Sequence, residues 1–191
     1  LDFHGSRFGV SQVMAVLESG AVENRFSLSE EDLELIHLWV RDTRIRWGVD
    51  GESRKDLGLP EFGENTWRAG LERMLLGYSM PGQGEKMFKG VLPYDMIEGN
   101  EAAVLGNFTA FSDLLFALTK ELDEPRTLRE WGDFLTKVLD DFFLADGETE
   151  RDILFIRRVL RDLGEKQDLS GFDEKITLGV IKSHLGSSLE K

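Results

Sequence analysis

An all-α fold is predicted for this 191-residue chain by three observations. Apolar residues recur at helical spacing almost throughout, cap-forming residues stand before several of the apolar stripes, and the one extended-looking stretch carries a proline. A helix that buries one face repeats its apolar side chains at i, i+3, i+4 and i+7. A Ser, Thr, Asp or Asn just ahead of it accepts a hydrogen bond from an orphan first-turn amide. Proline offers no donor to a sheet ladder, so it argues against a central strand.

Residues 10–17 read as a short helix with Val13, Val16 and Leu17 inward, ended by Gly20. Ser29, followed by Glu30, Glu31 and Asp32, opens the next: the hydroxyl caps, and the acids suit the positive end of the helix dipole. Leu33, Ile36 and Val40 form its buried stripe, with Leu35 and Trp39 alongside. Asn65 is the N-cap candidate of a third helix. Its Trp67, Leu71, Met74, Leu75 and Tyr78 fall on one face, Gly77 lies near its end and Pro81 closes it.

Residues 80–100 are rich in Gly and Pro (Pro81, Gly82, Gly84, Gly90, Pro93, Gly99) and read as a long loop with one short extended piece within 88–94. Helix signals return at 101–122. There Val104, Phe108, Phe111, Leu115 and Leu118 make a stripe that Leu105, Leu114 and Phe116 widen, as expected of a central core helix. Thr127 and Glu130 make a capping box, and Leu128, Trp131, Leu135, Val138 and Phe142 follow. After a turn at 145–148 comes a helix aligning Ile153, Ile156, Leu160 and Leu163. Thr177 starts the last, with Val180, Ile181 and Leu185 inward. The organisation expected is a helical subdomain at 1–80, a connecting loop at 81–100 and a second helical subdomain at 101–191, or one domain containing both. No repeat of fixed period is present.

The length suffices for one good core or two joined subdomains. With 41% hydrophobic and 31% charged residues the composition is that of a soluble globular chain. The absence of Cys excludes disulfides, thiolate zinc sites and a Cys nucleophile, and is compatible with a reducing cytoplasm, the expected location. Leu1-Asp2-Phe3-His4-Gly5 lacks the basic-then-apolar order of a signal peptide. No apolar run approaches the ~18–20 residues needed to cross a bilayer, so neither a transmembrane segment nor a membrane partner is expected. A start at Leu1 rather than Met reads as a piece of something longer. The net charge is −13, from 36 acids and 23 bases. Phosphate backbones are bound through Lys and Arg, and a free-standing nucleic-acid binder is usually basic. Contact with DNA would therefore need a local basic patch, or a place in the wall of a larger assembly.

Catalytic patterns are scarce. A P-loop needs Gly-x-x-x-x-Gly-Lys-Ser/Thr, and the stretch 81–86 (Pro-Gly-Gln-Gly-Glu-Lys) has neither the spacing nor the hydroxyl. His4, His37 and His184 form no metal motif. Asp140, Asp141, Asp146 and Glu148 fail as a calcium loop, because Phe142, Phe143 and Leu144 stand where oxygen ligands would be needed. Asp173-Glu174-Lys175 reads as a surface turn, since a two-metal nuclease needs further acids converging from a sheet. Neither a cofactor nor a metal is expected.

A basic and aromatic grouping stands out instead: Arg41, Arg44, Arg46 and Trp47 at a helix end and turn, Arg54 and Lys55 nearby, and Trp67-Arg68 at the next helix start. Arginines with exposed aromatics can follow a phosphate backbone and stack bases. The competing reading makes Trp47 and Trp67 core residues, with the arginines balancing local acids and helix C-termini.

The order of short motifs resembles an internal stretch of the RecC family, the gamma chain of exodeoxyribonuclease V, over nearly the full length. It begins at Arg7-Phe-Gly-Val-Ser-Gln-Val13, runs through Ile45-Arg-Trp-Gly48, Asn65-Thr-Trp-Arg68 and Leu75-Leu-Gly-Tyr78, and takes in Gly90-Val-Leu-Pro-Tyr-Asp95 with Ile97-Glu98-Gly99. Pro125-Arg126, Glu130-Trp131, Phe142-Phe143 and Glu150 complete it. Ala69 departs from the pattern, where the family commonly has an aromatic.

The resemblance implies a fragment without catalysis of its own, in a subunit resembling a superfamily 1 helicase that has lost its ATPase motifs. The stretch would be the helical accessory insertion of the second motor-like domain. The implied partners are the helicase–nuclease and helicase subunits of one complex (RecB-like and RecD-like), and DNA through that complex. The implied task is scaffolding and strand guidance while double-strand ends are processed for recombinational repair. Arg44, Arg46 and Arg68 are the candidate phosphate contacts, with Trp47 a stacking or packing residue. The alternative is a protein–protein docking module whose acidic helices meet a basic subunit and touch no DNA. An independent enzyme would need a catalytic constellation that the sequence does not offer.

Overall fold

The computed structural model describes residues 1–80 and 86–189, the side chain of Leu189 excepted. Among them lie nine helices and no strand, so the fold is all-α. In order they are α1 (Val10–Leu17), α2 (Gly20–Phe26), α3 (Glu30–Asp42), α4 (Gly51–Asp56), α5 (Trp67–Ser79), α6 (Glu101–Glu121), α7 (Leu128–Phe142), α8 (Glu150–Ser170) and α9 (Leu178–Leu189). Pro81 and the rest of the stretch 81–85, expected to close α5 and to form loop, lie outside the described residues.

Local chemistry places most of these ends. Ser29 accepts from the Asp32 amide at 3.2 Å while the Asp32 carboxylate takes the Ser29 amide at 2.9 Å, a full capping box for α3. Thr127 and Glu130 repeat it at α7. Asp146 does comparable work ahead of α8, accepting from the amides of Glu148 and Thr149 and from the Thr149 hydroxyl. Two expected ends are corrected. Gly20 does not stop α1; it opens α2, a seven-residue helix without a legible apolar period. Asn65 does not cap α5 either. Its backbone is left-handed (φ 60°), and Thr66, one residue on, supplies the capping hydroxyl to Ala69.

The chain gathers into two compact units, one built from residues 1–4, 20–25 and 114 onward, the other from 5–19 and 26–113. In the first, α7, α8 and α9 enclose Leu122, Trp131, Leu135, Leu160, Leu163, Leu178, Ile181 and Leu185. The Trp131 indole donates to the Ile176 carbonyl at 3.0 Å. On α9 the inward residues are Leu178, Ile181 and Leu185; Val180, expected inward, is exposed, because it falls on the far side of a helix whose buried line runs through 178, 181 and 185. A smaller cluster joins Ala21 of α2 to Leu139 and Ile153, and the Leu144 amide donates to the Ala21 carbonyl at 2.8 Å.

In the second unit Ile36, Trp39, Trp67, Met74, Phe108 and Phe111 are almost wholly buried. Trp67 meets Phe108 edge-on at 6.3 Å, and its indole donates to the Phe8 carbonyl at 2.8 Å. The expected α5 face is rotated. Trp67, Leu71 and Met74 are buried, but Leu75 and Tyr78 are exposed, and Gly70 and Gly77 lie inward in their place. The long connection after α5 is present, and its extended piece is a tight reversal. Phe88 and Val91 pair in both directions across Lys89 and Gly90, both with positive φ.

One expectation about apolar runs is overturned. By length and composition α6 is apolar enough to cross a bilayer, although Asn107, Thr109, Ser112 and Asp113 interrupt it. Its Leu105, Phe108, Phe111, Leu115 and Phe116 are buried within the fold.

Candidate nucleic-acid interface

The arginine-bearing turn follows α3, and main-chain bonds hold it from several sides. The Thr43 hydroxyl donates to the Trp39 carbonyl at 2.7 Å and the Ile45 amide reaches back to Val40 at 3.1 Å, ending the helix. Between them Arg44 takes a left-handed conformation (φ 61°). The Arg46 amide donates to the Asn65 carbonyl at 2.9 Å, while its carbonyl accepts from the Val10 amide at the start of α1. The amides of Trp67 and Arg68 bind the carbonyls of Gly48 and Val49 at 3.0 Å each. The turn is thus stitched to α1 and α5, and it presents its side chains from a fixed backbone.

Those side chains meet different fates. Arg44 and Arg46 are exposed and have no ion pair among the described residues. Arg46 and Arg41 line a hollow of about 960 Å³, together with Gly9–Gln12 at the start of α1 and Glu34, His37 and Leu38 of α3. His37 is bonded to Glu18 at 2.6 Å, and Arg41 lies 3.1 Å from the neighbouring Asp42. Arg68 is also exposed but reaches Asp50 at 3.3 Å, so part of its charge is balanced. Lys55 pairs with Glu61.

Trp67 is core. Trp47 is half-buried, with the Arg54 guanidinium 4.1 Å from its ring centre and that of Arg7 at 5.9 Å. Arg54 itself is buried. It donates to the carbonyls of Trp47, Phe62 and Glu64 at 2.8–2.9 Å and so organises the loop between α4 and α5. A second structural arginine is Arg73, which donates to the carbonyls of Leu92 and Thr43 and ties α5 to the segment after residue 86.

Sequence reasoning grouped Arg54 with the exposed cations and did not single out Arg73. It also missed the share that α1 takes in the hollow. The local signal beside Arg54 is the Asp50–Ser53 capping box, which opens α4.

Among the described residues no three His, Asp or Glu converge as a metal site. Asp173 accepts from Gln167 at 2.8 Å; residues 173–175 are exposed, as expected, but form an irregular stretch rather than the expected turn. What the geometry defines is a helical domain that displays arginines from a braced turn.

The chain belongs to the family described as the fourth domain of the RecBCD enzyme subunit RecC, which matches residues 1–191. It is 33% identical to the RecBCD enzyme subunit RecC of Escherichia coli (strain K12), over 100% of this chain and 17% of that protein. Against the subunit RecC of Mycolicibacterium smegmatis it is 37% identical, over 74% of this chain and 13% of that protein. Against that of Haemophilus influenzae the identity is 31%, over 97% of this chain and 16% of that protein. The chain therefore spans only 13–17% of the length of these relatives.

Proposed function

We propose that this domain serves, without catalysis of its own, as a scaffold and DNA-strand guide in the RecC subunit of a cytoplasmic helicase–nuclease that processes double-strand ends for recombinational repair. Its partners in this reading are the RecB-like and RecD-like subunits, with DNA met through the complex. The domain would be the accessory insertion of a motor-like domain that has lost its ATPase. Membership of the RecC fourth-domain family over the whole chain supports the setting. The observation that carries the guiding role is the pair Arg44 and Arg46, exposed on a braced turn and unpaired among the described residues. Arginine delivers a permanent charge and several donors to phosphate. Arg68, shared with Asp50, is a secondary contact, and Trp47 acts as the packing surface that holds Arg54 in place.

The test is a reassembled complex carrying Arg44→Glu and Arg46→Glu, titrated with forked duplex at low salt. Affinity should fall several-fold, with a shallower salt dependence, because each lost phosphate contact removes a slope of about 0.9 in log K against log salt.

The docking alternative draws support from the −13 net charge and from the balancing of Arg41 and Arg68 by acids. It predicts unchanged fork binding once the complex is assembled, but weaker capture of the basic partner subunit in a pull-down when the acids of α3 are neutralised. Loss of DNA affinity with intact subunit capture sinks the docking reading; the reverse pattern sinks strand guidance.

A further inference from the structure

The chain leaves α3 through the peptide unit between Thr43 and Arg44. Two bonds end the helix: the Arg44 amide donates to the Arg41 carbonyl and the Ile45 amide to the Val40 carbonyl, both at 3.1 Å. In this pattern the residue after the C-cap takes a left-handed backbone, a place that glycine usually fills. Arg44 fills it here, at φ 61°. A side chain makes that conformation costly, so its persistence depends on what surrounds the turn.

Half-buried Arg73 of α5 is part of that surrounding. Its Nη1 donates to the Thr43 carbonyl at 3.0 Å and its Nε to the Leu92 carbonyl at 2.9 Å. No carboxylate pairs with it among the described residues. Its own carbonyl accepts from the Tyr94 amide at 2.8 Å, so the segment 92–94 holds Arg73 by main chain and side chain together. The Tyr94 hydroxyl lies 3.3 Å from the Asp42 carboxylate, a second link between that segment and the end of α3.

The Thr43–Arg44 peptide is therefore held on both sides, through its amide by Arg41 and through its carbonyl by Arg73. Rotation of this peptide changes φ of Arg44, the angle that sets where the side chain leaves the turn. Arg46 has separate supports, the Asn65 carbonyl at its amide and the Val10 amide at its carbonyl.

From this geometry we propose that Arg73 is a positioning residue of the strand-guiding turn. It acts through Arg44, by locking the Thr43–Arg44 peptide to α5 and to the segment 92–94. The inference rests on phosphate contact by Arg44. The position calls for arginine, because two nitrogens of one planar group serve two carbonyls; a lysine ammonium keeps the charge and loses the fork.

Arg73→Lys leaves the net charge unchanged, so its effect on DNA binding reports geometry and not field. In the reassembled complex, titrated with forked duplex at low salt, it should weaken binding about threefold and reduce the slope of log K against log salt by up to about 0.9, the share of one phosphate contact. The same loss should appear when Arg46→Gln is already present and should vanish when Arg44→Gln is present. In the full chain, followed by NMR, Arg73→Lys should lower the Arg44 amide order parameter from a rigid value of about 0.85 toward about 0.6 and leave that of Arg46 unchanged. Equal losses in the Arg44→Gln and Arg46→Gln backgrounds would reveal a general weakening of the fold and overturn the proposal, as would an Arg44 amide that stays rigid. If Arg44→Gln weakens the fork complex and Arg73→Lys does not, positioning fails while strand guidance stands. If Arg44→Gln itself leaves fork binding unchanged, phosphate contact by Arg44 fails and the proposal falls with it.

Discussion

The Arg54 guanidinium is buried against Trp47, and its two terminal nitrogens are bound by main-chain carbonyls rather than by a carboxylate, while its Nε is left without a hydrogen-bond partner. A buried cation costs less the more of its donors are used, and here carbonyls of Trp47, Phe62 and Glu64 take three of them, from Nη1 and Nη2. Arg54→Met keeps much of the volume but leaves those acceptors without their donor. It should cost about 2–4 kcal/mol in urea unfolding, and Arg54→Lys should recover little, since one ammonium cannot reach all three acceptors. A cost below about 1 kcal/mol would mean that water replaces the guanidinium freely. Tyr94 gives a second test at this scale. Burial, and then the charge of Asp42, push its phenol up to about 12, and its hydroxyl lies 3.3 Å from that carboxylate. The unfolded phenol ionises near pH 10. Between about pH 10 and 12 the unfolded chain has lost a proton that the folded chain keeps, so stability falls as pH rises through that window and is unaffected below it. Tyr94→Phe should flatten the alkaline limb of a plot of urea midpoint against pH. Identical limbs in the two chains would refute the assignment. Neither residue was legible in the sequence, because both roles depend on groups brought together by the fold: Asp42 lies 52 positions from Tyr94.

At the scale of elements, α5 shows why a correct period can still misplace a face. The sequence pattern favours the line through Leu75 and Tyr78, but close approach settles it otherwise. A Cβ on Gly70 would stand 2.2 Å from the Ile45 side chain, and one on Gly77 would stand 1.8 Å from the Tyr94 carbonyl oxygen. The glycines therefore turn inward, and the larger side chains beside them face solvent. Gly70→Ala and Gly77→Ala should each destabilise by about 1–3 kcal/mol. The two differ in what relieves them. Ile45→Ala should be strongly non-additive with Gly70→Ala, because the side chain it removes is the one in the way. No side-chain substitution relieves Gly77→Ala, where the obstacle is backbone, so a rescue there would contradict the packing.

Capping elements were legible for the opposite reason. Ser29 with Asp32, and Thr127 with Glu130, act within one turn and need no tertiary context. The short α2 and α4 were missed because six or seven residues hold too little periodicity to register. Asp146 offers a pH test of a cap. The Thr149 hydroxyl, and then its amide, hold the Asp146 carboxyl below its usual value. That stabilisation is present above the unfolded value near pH 4 and is lost as pH falls through the folded one. Asp146→Asn should lower stability at neutral pH and make the acid limb less steep; an unchanged acid limb would show that the cap is not coupled to protonation.

For the whole molecule, the −13 net charge and the exposed arginines oppose each other in any encounter with DNA, and salt separates them. The repulsive field of the acids reaches about 30 Å at 0.01 M ionic strength and about 10 Å at 0.1 M, so added salt relieves it. Direct phosphate contacts respond in the opposite sense, losing affinity as displaced counterions return. If Arg44 and Arg46 touch the backbone, the complex should show a negative slope of log K against log salt to which these two residues contribute up to about 1.8. Arg44→Glu with Arg46→Glu removes that contribution and adds to the repulsion, so the slope should move toward zero, with the largest loss of affinity at the lowest salt. Arg44→Gln with Arg46→Gln removes the contacts without adding acids, and should give the same slope change with a smaller loss. A purely long-range effect of net charge would instead make the Gln pair half as disruptive as the Glu pair at every salt concentration and leave the high-salt affinities equal. Fork-binding titrations across that range, on complexes shown to be fully assembled, distinguish contact from field; a slope common to all three complexes would remove the arginine turn from the path of the DNA.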